Sequence, residues 1–198
     1  MPKTIPGSTP PIRVIAVLTS SAIDEVLLQI ALAKLGLTPL LLSVNNSVPA
    51  VANLTKITNA THLIYGAKYA QEAQEAQALL QEQGYIIGLI EDKRFPLWGP
   101  EGAEATLVRP FPALLTPEQE KDRLSVILHS SGSVRLNSNL FRAYFLILAQ
   151  SGFPKPVYMT HQGIIIGCSQ IEKSAGLSTL PVYHAYGQAT VQVAFDLF

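Results

Sequence analysis

Two short polar stretches carry the residue types from which a polyphosphate site can be built. Residues 129–133 read His-Ser-Ser-Gly-Ser, and residues 151–156 read Ser-Gly-Phe-Pro-Lys-Pro. Small residues let backbone N–H groups approach phosphate oxygens, hydroxyls add donors, and a lysine adds positive charge. Ser130, Ser131, Gly132, Ser133, Ser151, Gly152 and Lys155 supply these types. On residue types alone a plain turn beside a lysine is the simpler reading, and Val134 to Gln150 separate the two halves. A nucleophilic serine is poorly supported, because neither Ser130 nor Ser131 lies in a Gly-x-Ser-x-Gly elbow and no acidic partner can be assigned. His129 and His161 flank the split stretch and are expected to orient it rather than react. No Cys/His spacing suggests a metal site, and the single Cys168 reads as a small buried hydrophobe.

The elements that would position these residues alternate regularly. Val14–Leu18 reads as a buried strand, and Ser21 with Asp24 makes a capping-box-like start to a helix. In that helix Ile23, Val26, Leu27 and Ile30 share one face, expected to turn inward, and Gly36 stops it. Leu37–Val44 predicts a second strand. Ser47 and Pro49 then open a helix expected to face inward through Val51, Leu54 and Ile57. Thr61–Tyr65 predicts a third strand, residues 68–83 a helix stopped by Gly84, and Tyr85–Ile90 a fourth strand. Five prolines over 91–123 predict a long surface connection, with a short helix starting at Thr116. Leu124–Leu128 is the strand that enters the Ser/Gly stretch.

This order predicts an α/β fold: a layered, mostly parallel sheet flanked by helices and joined by right-handed crossovers. A dinucleotide-binding oxidoreductase shares the opening pattern, but the first turn, Thr19-Ser-Ser-Ala-Ile-Asp24, lacks Gly-x-Gly-x-x-Gly. A hydrophobic content of 48% suits a globular domain. Fourteen basic residues balance fourteen acidic ones, so no attraction to nucleic acid or to anionic membrane is expected. Residues 1–12 read as a flexible proline-rich lead and 13–198 as the folded part. No signal peptide is evident, and a cytoplasmic protein is the expectation.

Residues 134–150 read as an insertion. Their 17 residues correspond to 51 nucleotides, a whole number of codons. Valine codons begin GT and a glutamine codon can be CAG, the usual ends of an intron, so a retained intron without a stop codon would leave this trace. A genuine inserted helix is the alternative, since Leu140–Leu148 is apolar. Loop-closure entropy is a small obstacle, whereas a tight phosphate turn tolerates few insertions. The apolar core is shorter than the roughly 20 residues a bilayer requires, and Arg142 interrupts it.

With 134–150 deleted, the chain reads His-Ser-Ser-Gly-Ser-Ser-Gly-Phe-Pro-Lys-Pro. This resembles the phosphate-binding signature of the adenylate-forming (AMP-binding) enzymes, which include acyl-CoA ligases and the adenylation domains of nonribosomal peptide synthetases. Thr38–Ser47, Ala60–Tyr65 and Phe95-Pro-Leu-Trp-Gly99 resemble the first half of fungal synthetase-like adenylation domains, including the adenylate-forming reductases. Pro156–Gly163 resembles the segment after the loop. Leu180-Pro-Val-Tyr-His-Ala-Tyr-Gly187 resembles the next core motif. Several motifs in the right order make the resemblance specific across nearly the whole chain.

The resemblance implies ATP-dependent activation of an aryl, α-keto or amino acid to an acyl-adenylate in secondary metabolism, with Mg²⁺ and a downstream phosphopantetheine carrier. By position, Ser130 to Ser133, Ser151, Gly152 and Lys155 would hold the phosphates. His184, Tyr186 and Gly187 would border the adenylate and acyl pocket. The aromatic-Gly-x-Thr-Glu-like motif, ribose aspartate and lid lysine of the family are absent from these residues, which implies a truncated partial domain lacking full activity. A non-catalytic remnant or nucleotide-binding module without turnover is the second reading.

Overall fold

The structure, a computed structural model, describes residues 12–20, 22–93, 116–130, 153–164 and 166. Its core is a six-stranded sheet in the order β4-β3-β1-β2-β5-β6. The strands are β1 (Val14–Leu18), β2 (Thr38–Leu41), β3 (Ala60–Gly66), β4 (Gly88–Asp92), β5 (Leu124–His129) and β6 (Pro156–Thr160). All neighbouring pairs run parallel except β5 and β6, which run antiparallel. The helices are α1 (Ala22–Lys34), α2 (Val48–Ile57), α3 (Ala70–Glu82) and the short α4 (Pro117–Lys121). The expected mostly parallel α/β sheet is therefore present.

The two faces of the sheet are covered differently. β1 leads to β2 on one side, whereas β2 leads back across β1 to β3, and β3 leads onward to β4. Right-handed crossovers in opposite directions place their helices on opposite faces. Val51, Ala52 and Leu54 of α2 and Ala73, Ala76 and Leu80 of α3 accordingly pack with Ala16, Leu40, Leu63 and Ile127. Leu32 of α1 packs on the other face with Ile15, Val17, Leu41, Val126 and Leu128.

Local signals set most boundaries. Gly36 and Gly84 adopt φ of +70° and +73°, the left-handed conformation that costs glycine little. Each closes its helix in the same way: Leu37 N–H donates to Leu32 O and Tyr85 N–H to Leu80 O, both at 2.9 Å. That use of Tyr85 N–H explains why β4 begins at Gly88 and not at Tyr85. Tyr85 instead donates its hydroxyl to Ala60 O at 2.8 Å, tying the lead-in of β4 to the start of β3. The second strand is likewise shorter than predicted, because the chain turns at Ser43, whose carbonyl accepts from Asn46 N–H at 3.1 Å. Thr116 caps α4 reciprocally with Gln119.

The inward face predicted for α1 is corrected. Ile23 is 66% exposed, and Leu27 and Ile30 also face out, while Glu25 and Gln29 are buried against the sheet. Val26 packs inward as expected, beside Leu28. Apolar residues encircle most of α1, so periodicity leaves its orientation open, and the crossover from β1 to β2 decides it. In α2, Val51 and Leu54 are buried as predicted, whereas Ile57 in the last turn is exposed.

Burial raises the Glu25 carboxyl to about 7, and the neighbouring Asp24 charge pushes it the same way. The folded state thus holds this proton between the ordinary value of 4.5 and about 7. Its contribution is present below pH 4.5, is lost as pH rises through that window, and stays lost above it. A tenfold difference in proton affinity between folded and unfolded chains is worth about 1.4 kcal/mol. Glu25→Gln is therefore expected to raise the melting temperature at pH 8 and to leave it unchanged near pH 4. Paired thermal melts at the two pH values check this.

Candidate functional site

The described flanks of the split Ser/Gly/Lys stretch, residues 129–130 and 153–156, meet at one end of the sheet. β5 enters from below and ends at His129, and β6 leaves from Pro156, with His129 and Pro156 in register. Beyond that pair, Ser130 N–H donates to Lys155 O at 2.9 Å. The strand is held by its own apolar alternation: Val126 and Leu128 are buried on one face and Ile127 on the other. Ser130 and Lys155 are thus backbone partners at the mouth of a hairpin whose connection is residues 131–154. Ser131, Gly132, Ser133, Ser151 and Gly152 lie outside the described residues, as do the segment 134–150 and His184, Tyr186 and Gly187.

The mouth sits at the carboxyl edge of the parallel strands, where open α/β sheets bind ligands. The adjacent segment is the turn from β2 to α2, residues Ser43 to Ser47. It carries hydroxyls and amides, and the first turn of α2 contains no acidic residue. Such surroundings suit an anion, since no carboxylate of that turn would repel it. The Ser47 side chain makes no capping hydrogen bond, and Pro49 shapes the helix start instead.

His129 joins these parts. Ser43 N–H donates to its Nε2 at 2.9 Å, and the Asn46 side-chain amide lies 3.2 Å from the same nitrogen. A backbone N–H can only donate, so Nε2 is the acceptor and the proton of the neutral ring sits on Nδ1. Nδ1 is 3.5 Å from Ser130 O. Burial lowers the His129 pKa from its ordinary value of 6.5, and the contact with Ser130 only partly opposes this. The residue types singled out His129 but not Ser43 or Asn46. Their signal was the polar run directly after β2, which marks a turn at the same edge as the end of β5.

His161 is corrected in position. It follows Thr160, at the end of β6 remote from the loop mouth, and its backbone N–H donates to Arg123 O at 3.1 Å. Its Nε2 lies 3.8 Å from Glu120 Oε2, while Arg123 Nε donates to that oxygen at 2.8 Å. Burial and then the Arg123 charge lower its pKa, against the pull of Glu120. His161 is therefore tied to the foot of the hairpin through its backbone N–H, while its Nε2 is buried without a hydrogen-bond partner among the described residues. It does not orient the loop, because adjacency in sequence crosses the full length of a strand.

Among the described residues no group of three His, Cys, Asp or Glu side chains could hold a metal ion. No helix among them is long and apolar enough to cross a membrane.

No protein-family profile matches the chain. Over 180 aligned residues it is 27% identical to ascB of Acremonium egyptiacum, a non-canonical non-ribosomal peptide synthetase, with 87% of this chain and 14% of that protein covered. It is also 27% identical over 180 residues to the adenylate-forming reductase stbB of Stachybotrys bisbyi, covering 87% of this chain and 15% of that one. The chain thus spans about one seventh of the length of these curated fungal relatives. Among solved structures, the N-terminal domain of FACL13 from Mycobacterium tuberculosis matches with a TM-score of 0.68 and 19% identity, covering 92% of this chain and 42% of that one. The o-succinylbenzoate CoA synthetase MenE of Bacillus subtilis, solved with its acyl-adenylate, matches with a TM-score of 0.59 and 15% identity, covering 92% and 40%. The same enzyme with ATP and magnesium matches at 0.60 and 13% identity, covering 92% and 32%. These likenesses are of fold.

Proposed function

We propose a function from the premise that this chain is a member of the adenylate-forming superfamily and matches an N-terminal part of its domain. The hairpin mouth formed by Ser130 and Lys155 is the base of a phosphate loop. The domain it belongs to activates a small carboxylic acid (an aryl, α-keto or amino acid) with ATP and Mg²⁺, in the cytoplasm, for transfer to a phosphopantetheine carrier. The observation that carries this reading is the Ser130 N–H to Lys155 O hydrogen bond at 2.9 Å. It pairs Ser130 with Lys155, one residue from each half of the divided motif, at the carboxyl edge of the parallel strands.

Bound ATP would supply the electrophilic phosphorus, and Mg²⁺ would neutralise phosphate charge. Ser130, Ser131, Gly132, Ser133, Ser151 and Gly152 would donate backbone N–H and hydroxyl hydrogens to the phosphate oxygens. Lys155 would add a point charge beside them. His184, Tyr186 and Gly187 would border the adenylate and the acyl group. We read residues 134–150 as an insertion into this loop, with the retained intron as its origin. On this reading the 198-residue chain by itself does not turn over, because the reacting groups must be held together by a complete cleft. A nucleotide-binding module without turnover is the second reading, favoured by the 42% of the solved FACL13 domain that the chain spans.

ATP–pyrophosphate exchange over a panel of carboxylic acids tests the proposal. The 198-residue chain is expected to be inactive, and the same chain without 134–150 and joined to the missing part of the domain is expected to exchange. Exchange by the 198-residue chain would overturn the reading that it is inert.

A further inference from the structure

We propose that His129 is a positioning residue for the loop: as an Nδ1-protonated imidazole it ties the loop's entry to the turn between β2 and α2. The inference rests on the reading that this hairpin carries a phosphate loop. The ring sits one residue before Ser130, and its Nε2 accepts from Ser43 N–H at 2.9 Å, with the Asn46 amide at 3.2 Å. Ser43 itself organises the turn, accepting Asn45 N–H on Oγ at 3.2 Å and Asn46 N–H on its carbonyl at 3.1 Å. The next residue, Ser130, is fixed to Lys155. The ring therefore closes a chain of contacts from the turn before α2, through the end of β5, to the far side of the loop mouth.

The β2–β5 seam needs such a tie. Its register contains the single pair Leu40 with Ile127. Below that pair Thr38 Oγ1 donates to Leu124 O at 3.2 Å, and above it His129 makes the corresponding contact at the carboxyl edge. A lone pair on Nε2 is essential, because Ser43 can offer only N–H there. Protonation of the ring removes that lone pair and sets two donors against each other. Of the described residues in the segments that carry these contacts, 42–47, 129–130 and 153–156, Lys155 is the one charged side chain.

The experiment uses the 198-residue chain without nucleotide, so that failure of the phosphate reading leaves its outcome intact. Long-range ¹H–¹⁵N spectra report the His129 tautomer, and backbone amide exchange reports Ser43 and Ser130. We expect the Nδ1–H tautomer at pH 8, and faster exchange at Ser43 and Ser130 as the ring is protonated. His129→Ala should speed both amides at least about tenfold while leaving Val17 and Leu63 in the distant strands unchanged. His129→Gln should restore protection, because its Oε1 can accept where Nε2 did. An Nε2–H tautomer in the wild-type chain would overturn the proposal even if His129→Ala failed to fold. So would unaltered Ser130 exchange in a folded His129→Ala chain.

Discussion

Removal of residues 134–150 is expected to tighten ATP binding at least about tenfold, a difference of about 1.4 kcal/mol. The hairpin that frames the loop is already closed by the Ser130–Lys155 hydrogen bond, so the deletion leaves its base in place. What changes is the connection above it, which shortens from 24 residues to 7. Loop-closure entropy, about 1 kcal/mol for such a change, stabilises the shorter hairpin with or without ATP and so cancels in the affinity. The gain comes from geometry, since Ser133 and Ser151 become chain neighbours and their N–H groups can converge on one phosphate. Isothermal titration with ATP of both forms checks this, and Lys155→Ala in the shortened form should remove most of the gain. Equal affinity in the two forms would show that the loop is not interrupted in the proposed sense.

The second large effect is on stability. Leu40 is wholly buried in the central strand β2, between Ala16 of β1 and Ile127 of β5. Leu40→Ala removes its packing and leaves a cavity, at a cost of about 2–5 kcal/mol. Domains of this kind are stable by only about 5–15 kcal/mol, so a large share is lost. A fall in melting temperature of more than about 5 °C is expected, because 1 kcal/mol shifts a domain of this size by roughly 2–4 °C. Leu27→Ala on the exposed face of α1 should change stability by less than about 0.5 kcal/mol. Thermal denaturation of the two variants, side by side, separates core from surface. Similar losses in both would refute the observed orientation of α1.

That orientation marks a limit of what the residues disclose. β1 was legible because five consecutive apolar residues suit a strand buried on both faces, and α2 because Val51 and Leu54 share one face beside Ser47 and Pro49. The glycine stops at 36 and 84 were legible because glycine at positive φ ends helices cheaply. The facing of α1 was not, since a helix apolar on most sides fits either way and only the crossover chooses. The displaced start of β4 followed from a backbone hydrogen bond of Tyr85 that propensity does not encode. At the site, motif order located Ser130 and Lys155, and the hairpin makes them neighbours. Sequence proximity misled for His161, which a whole strand separates from the loop. It was silent on Ser43 and Asn46, whose contact with His129 spans more than 80 residues.

The seam between β2 and β5 also bears on the order in which the molecule assembles. β1 to β4 and their three helices occupy residues 14–92, and the strand pairings among them join segments at most 47 residues apart, as Leu18 with Tyr65. Such contacts form early, because little chain must be closed to make them. β5 must instead find β2 across more than 80 residues, then recruit β6 across the loop. The hairpin is therefore expected to dock last, onto a preformed four-stranded unit whose β2 edge stays open until then. On a ribosome that edge waits while the intervening chain is made, an interval during which an unpaired strand invites wrong partners. The part of the molecule that would meet the nucleotide is thus the part whose arrival is slowest, and each added residue in the loop delays β6 further.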